Sequence, residues 1–223
     1  MSFAEGRQFF DGRLAGKSGS ASPGTLADAG GICGLAHEAG PLAWGGAVHY
    51  APHGPIDVQA LDCDFLVSSS YKFFGPHAGI LFGKRNLLEK LFAYKVRPAT
   101  NSLPGKFETG TQNHEGVAGV LGAVEYFEWV GKEFGGAKKN EERRPVLKKA
   151  MTAIHAYELD LSRALLSTLQ SIPGLRLYGL TDANRLEERV ATFSFRIRDI
   201  PPRKVAEQLA KEKLVALRNL MIA

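Results

Sequence analysis

The run Ser68-Ser69-Ser70-Tyr71-Lys72-Phe73-Phe74-Gly75-Pro76-His77 constrains this chain more than any other stretch. It sets a lysine just past a short apolar segment, Cys63 to Val67, interrupted only by Asp64 and followed by three hydroxyls and a glycine turn. That pattern reads as a central strand delivering polar groups to its carboxyl end. In open α/β sheets ligands sit at that edge. A lysine anchored there and partly shielded from water can have a lowered pKa and act as an amine nucleophile toward an aldehyde, the chemistry of a Schiff base. The same ten residues also allow an ordinary surface lysine in a loop.

The upstream sequence bears on that choice. Leu42 to Gly54 has the form of a strand followed by a loop carrying His49 and His53, and Ile56 to Asp64 then leads into the lysine strand. Five blocks occur in order: Gly24-Thr25 before Leu35-Ala36-His37-Glu38-Ala39-Gly40, Ala47-Val48-His49-Tyr50-Ala51-Pro52-His53-Gly54, Tyr71-Lys72-Phe73-Phe74-Gly75-Pro76-His77, and Phe107-Glu108-Thr109-Gly110-Thr111-Gln112. With these blocks, residues 19 to 131 resemble the class V aminotransferase group of fold-type I pyridoxal phosphate enzymes, and within it the cysteine desulfurase-like proteins.

The resemblance implies roles for particular residues. Lys72 is then the Schiff-base lysine. Ser69 matches the position that hydrogen-bonds the cofactor phosphate, and Tyr71 replaces a histidine that is also near the phosphate. His49 matches the glutamine or histidine that contacts the phenolic oxygen of the pyridine ring, where a hydrogen bond tunes the ring's electronics. Thr111 matches a threonine that reaches the phosphate bound in the neighbouring subunit, so the resemblance also implies a homodimer.

One departure stands out. Three residues before His49 the family has an aspartate that keeps the pyridine nitrogen protonated, and here that position is Gly46. Without an anion beside it the ring is a weaker electron sink. Asp57 and Asp62 read as loop or helix residues and Asp64 opens the lysine strand, so none replaces the missing acid. The chain also reads as shortened at both ends. Residues 1 to 18 do not resemble the stretch that stacks on the cofactor ring, and Met1 to Arg7 shows no signal or transit pattern. The family's carboxylate-binding arginine and the catalytic loop cysteine of true desulfurases lie beyond Ala223.

Cys33 falls within an expected helix, Leu26 to Ala39, and Cys63 just before a strand, which marks both as small core or half-buried thiols. Two cysteines without a CxxC spacing argue against a metal site, a redox dithiol or a disulfide framework and point to a reducing, cytoplasmic setting. The net charge of +5 raises nucleic-acid binding, with Lys138-Lys139, Arg143-Arg144 and Lys148-Lys149 in one stretch. Glu133, Glu141 and Glu142 interleave with them and no aromatic platform accompanies them, so a solvated helix face is expected, with no nucleic-acid partner. No apolar run approaches the ~20 residues that cross a bilayer, so no membrane association is expected.

The expected architecture is α/β: an incomplete fold-type I large domain with a mostly parallel sheet over residues 1–135, then part of a small α+β domain over 136–223, with Gly135-Gly136 as the hinge. Gly79 to Gly83 reads as a strand, Asn86 caps a brief helix through Phe92, and residues 95–112 form a long polar loop. From His114 to Phe134 the apolar positions Val117, Val120, Leu121, Val124, Phe127 and Val130 mark a helix with one buried face, and Gly116, Gly119 and Gly122 give it a small-residue face. A second helix, Val146 to Leu169, is expected to turn Leu147, Ile154, Leu161, Leu165 and Leu169 to the core. Residues 175–179 and 189–197 read as strands, and Pro201-Pro202 starts a helix through about Leu214.

Three functions follow from this reading: a pyridoxal phosphate-dependent transferase or lyase acting on an amino acid through Lys72, a truncated and inactive member of the same family, and a dimerising interaction protein with an exposed sheet edge. The first fits the motifs. Gly46 and the missing ends support the second, and the third rests on the uncovered edge alone.

Overall fold

The computed structural model describes residues 24–212, which form two compact units: one holds Ala27–His155, the other residues 24–26 with 156–212. The first unit opens with α1 (Ala29–Ala39), which starts later than the expected Leu26 because Asp28 is the N-cap, its carboxylate accepting from Gly31 N at 3.0 Å. Gly40 ends the helix in the left-handed region at φ 95. Then come β1 (Trp44–Gly46), α2 (Val58–Leu61), β2 (Phe65–Ser69), a 3₁₀ turn (Ser70–Phe73), β3 (Gly79–Gly83) and α3 (Arg85–Lys90). Asn86 is not the cap of α3. Lys84 holds that position and makes no capping bond, since its ammonium can only donate; it pairs instead with Asp62 and Asp64.

The three strands form a mixed sheet in the order β1-β2-β3. β1 runs parallel to β2, with Gly46 beside Val67, and β2 runs antiparallel to β3, with Ser68 beside Ile80 and Ser69 beside Gly79. Connection length decides the two directions. Residues 47–64 carry α2 and allow a parallel crossover, whereas residues 70–78 allow only a return. Pairing with Ile80 and Gly79 also carries β2 on to Ser69, past the expected end at Val67. Ala29, Cys33 and Ala36 of α1 pack on Ala43, Ala47, Cys63 and Leu66, a core of mostly small side chains that lets the helix lie close to the sheet. Both cysteines are buried there, and burial pushes the Cys63 thiol up to about 11.

α4 (His114–Glu133) matches its expected span and is capped by Asn113, which accepts from Gly116 N at 2.9 Å. Its buried face differs from the expected one. Phe127 and Val130 are buried, but Val117 is 64% exposed and Leu121 47%, and Gly116, Ala123 and Gly131 are buried instead. The small residues set the approach: Gly119 lies against the Pro76 ring and Gly131 against the Val146 backbone of α5 (Arg143–Ser171). That helix begins before the expected Val146, because Pro145 is tolerated in a first turn. Phe127, Val130, Ala150 and Met151 close this core, with Phe73, Leu147 and Ile154 at its margin.

In the second unit the remainder of α5 buries Leu159, Ser162, Leu166 and Leu169 at three-four spacing. The expected core residues Leu161 and Leu165 fall beside this stripe and are 52% and 44% exposed. Leu159 and Leu166 meet Leu186, Leu177 and Phe193. β4 (Leu175–Tyr178) pairs antiparallel with β5 (Ser194–Ile197). The expected strand at 189–197 shortens because Arg189 is buried and turns its guanidinium onto the carbonyls of Leu180 and Thr192, 3.8 Å from the Phe193 ring centroid. Gly24, at φ 73, lies close enough to the Thr192 carbonyl to exclude any Cβ, and Thr25 bridges to Arg189. α6 (Pro202–Lys211) follows, and the expected end at Leu214 lies outside the described residues. No helix among the described residues is long and apolar enough to cross a membrane.

Candidate active site

Lys72 sits on the 3₁₀ turn at the carboxyl end of β2, half-buried. Buried Ser70 ties the turn down. Its amide donates to Ala78 O at 2.9 Å, its hydroxyl lies 2.5 Å from Pro76 O, and its carbonyl accepts from Gly75 N at 2.9 Å. Gly75 has no room for a side chain, since a Cβ would lie 2.8 Å from that of Ser70. Phe74 takes the left-handed conformation at φ 69, uncommon for a bulky residue. Its ring packs on Tyr126 and Phe127 of α4 at 5.1 and 5.8 Å, which offsets the strain. The Phe-Phe-Gly-Pro sequence after the lysine therefore fastens the turn to α4.

Removing the Ser70 hydroxyl leaves the Pro76 carbonyl without its closest donor. Ser70→Ala is expected to cost about 1 to 2 kcal/mol, read by scanning calorimetry as a fall in Tm of roughly 2 to 8 °C.

His49 stands in the turn after β1, half-buried, with its ring 5.7 Å from that of His53. Burial, then His53, then the Lys72 cation push its imidazole below the ordinary histidine value, which leaves it neutral at pH 7. His49 and Lys72 are therefore within electrostatic reach of each other. The Tyr71 ring stacks on His77 at 5.0 Å and 13°, and Lys72 Nζ lies 4.9 Å from the Tyr71 centroid. Ser69 ends β2, immediately before the turn. The fold thus gathers Lys72, Tyr71, Ser69 and His49 at one end of the sheet. Thr111 stands exposed in the loop between α3 and α4, after Gly110 at φ 81. Gly46 is buried at the end of β1.

The three acids near the lysine strand are engaged elsewhere. Asp57 caps α2 and pairs with Arg144 at 2.7 Å, and Asp62 ends α2 at φ 50. Asp64 is buried just before β2, at the end of the strand away from Lys72, and accepts from Ala43 N at 2.7 Å, His37 Nε2 at 3.0 Å and Lys84 Nζ at 3.0 Å. A cavity of about 310 Å³ lies beside Ser68 and Phe73, walled by Ile56, Val124, Phe127, Leu147 and Met151, and includes none of the expected site residues. Sequence reasoning missed Ser70 and Phe74 as the residues that hold the lysine turn, and Asp64 as a hub. For Asp64 there was a local signal, an acid inside an apolar run.

The chain shares its fold with cysteine desulfurases of known structure. It matches an apo cysteine desulfurase from Thermococcus onnurineus at TM-score 0.66 and 20% identity, covering 88% of this chain and 46% of that one. It matches the Escherichia coli cysteine desulfurase CsdA, in its S-sulfonic acid form, at TM-score 0.64 and 25% identity, covering 91% and 46%. The architecture is that of pyridoxal phosphate-dependent enzymes. The family model for aminotransferase class-V matches residues 14–219, and the chain belongs to that family, whose members use pyridoxal phosphate. A probable cysteine desulfurase of Synechocystis is 32% identical over 200 residues, covering 84% of this chain and 42% of its own length. A cysteine desulfurase of Shigella flexneri is 35% identical over 165 residues, covering 68% and 36%. The chain therefore spans less than half the length of these curated relatives.

Proposed function

We propose that this chain carries the lysine-bearing part of a pyridoxal phosphate-dependent, cysteine desulfurase-like enzyme that acts on an amino acid. The observation that supports it most is Lys72 on a turn locked by Ser70, at the carboxyl end of β2 and within electrostatic reach of a neutral His49. An amine, two hydroxyls and an imidazole fit the aldehyde, phosphate and phenolic groups of that cofactor. In this reading Lys72 supplies the amine for attachment and later moves a proton at the substrate's α-carbon. Ser69 and Tyr71 hold the phosphate, and His49 orients the ring. Thr111 serves the phosphate bound by a second copy, which makes the working form a homodimer in a reducing, cytoplasmic setting. The cofactor, when bound, supplies the electron sink.

At the ring nitrogen the fit is poorer, because Gly46 provides no carboxylate. That position favours slow turnover over loss of binding. The test is to mix the purified chain with pyridoxal phosphate, reduce with borohydride and map the modified peptide. A stable adduct confined to Lys72 and lost in Lys72→Ala, with visible absorbance that changes on adding an amino acid, is the expected result. An adduct at Lys72 without any response to amino acids would favour an inactive family member, and no specific adduct would overturn the reading.

A further inference from the structure

Strand alternation in the second unit turns Leu175, Leu177, Phe195 and Ile197 to one face of the two-stranded sheet and Arg176, Tyr178, Ser194 and Arg196 to the other. Leu177 is packed on the core of Leu159, Leu166 and Leu186, so the arginine face is the outer one. Arg176 and Arg196 are direct cross-strand partners. Like charges placed opposite each other destabilise a sheet. Arg198 joins them from just past the end of β5, at φ 45, its backbone donating to Gly174 O at 2.9 Å. Gly174 makes that placement possible, since a Cβ there would lie 2.7 Å from Arg198 Cγ and 2.8 Å from Nε. Gly174, Arg176, Tyr178, Arg196, Arg198 and Asp199 together line a hollow of about 280 Å³.

We infer that this hollow binds the phosphate group of a small molecule. Three guanidinium groups and one carboxylate leave a net positive lining, and among the described residues none of the three arginines forms an ion pair with an acid. Arg176 instead lies over the Tyr178 ring, 5.1 Å from its centroid. A dianion converts the repulsion between Arg176 and Arg196 into two charge-assisted, planar contacts. The size of the hollow suits a single phosphomonoester. A nucleic-acid strand is the poorer occupant, because the one aromatic ring in the lining is already covered by Arg176. The site lies wholly in the second unit and is independent of Lys72.

Calorimetric titration of the full chain with inorganic phosphate, at constant ionic strength set by sodium chloride, tests the inference. Saturable binding is expected, weakened at least tenfold in both Arg196→Gln and Arg176→Gln and unchanged in Arg163→Gln, an exposed arginine of α5 already paired with Asp160. Removing one of two opposed cations is also expected to leave the ligand-free Tm equal to or above that of the parent chain, so lost binding cannot be ascribed to misfolding. Binding that survives both arginine substitutions would overturn the inference, as would no binding at all. A single-stranded oligonucleotide that binds through these arginines more tightly than inorganic phosphate would replace it with a nucleic-acid site.

Discussion

Asp64→Ala is expected to destabilise the protein by about 3 to 4 kcal/mol, a fall in Tm of roughly 6 to 16 °C. Asp64 is 4% exposed, and its carboxylate receives Ala43 N, His37 Nε2 and Lys84 Nζ, which joins α1, the entry to β1 and the link from β3 to α3 through a single side chain. Truncation leaves a cation and a backbone amide facing a void, and removing one partner of a buried pair costs more than the pair contributes. Asp62, whose side chain is 67% exposed, shares Lys84 and His37, and because solvent screens an exposed pair Asp62→Ala is expected to leave the Tm close to that of the parent chain.

The effect depends on pH in a defined direction. Burial opposes ionisation of Asp64, but the Ala43, His37 and Lys84 hydrogen bonds outweigh it and hold the carboxyl below its ordinary range. The unfolded chain therefore takes up the proton first as pH falls. The stabilisation is complete above about pH 4 and is lost as the pH drops through the folded pKa. Lys84 is shifted the other way: burial disfavours its charge, yet Asp62 and Asp64 raise its pKa, so its share persists through neutral pH and fades only above about pH 10. Denaturant unfolding of the parent and Asp64→Ala chains at several pH values should show the gap narrowing below about pH 4.

Gly131→Ala and Gly122→Ala place the same methyl group on the same helix and are expected to have opposite signs. In a helix interior alanine is favoured over glycine by about 0.5 to 1 kcal/mol. At Gly122 a Cβ meets nothing within 4 Å, so that gain is expected to appear as added stability. At Gly131 the Cβ overlaps the Val146 carbonyl oxygen and lies 2.9 Å from Val146 Cγ1. The obstacle is mostly the backbone of α5, which cannot rotate aside. Forcing α4 from α5 is expected to cost about 3 kcal/mol, a net loss of about 2 kcal/mol after the helix gain. Urea unfolding of the two variants measures both, and a stabilised Gly131→Ala would show that the helices separate freely.

The lysine motif was the most legible part of this chain. A short apolar run, three hydroxyls and a glycine turn placed Lys72 at a strand's carboxyl end, and the structure has it there. The span of α4 was legible for a similar reason, since Asn113 and the recurring apolar residues are local signals. Its buried face was not. Periodicity counted Val117 and Leu121 as core, but a glycine allows a closer approach than a valine, and Gly119 and Gly131 turned the helix toward Pro76 and Val146. In α5 an apolar stripe at Leu159, Leu166 and Leu169 displaced the expected Leu161 and Leu165, because the neighbouring Leu186 selects which leucines are covered.

Sequence alone determined the family, the order of the elements around Lys72 and the absence of an acid at position 46, since each depends on residue identity within a short window. Tertiary structure alone decided which groups hold the lysine turn, where Asp64 spends its charge, and that Arg176 and Arg196 face each other. Those facts depend on strand register and on contacts between distant residues, and neither is encoded in the spacing of nearby side chains.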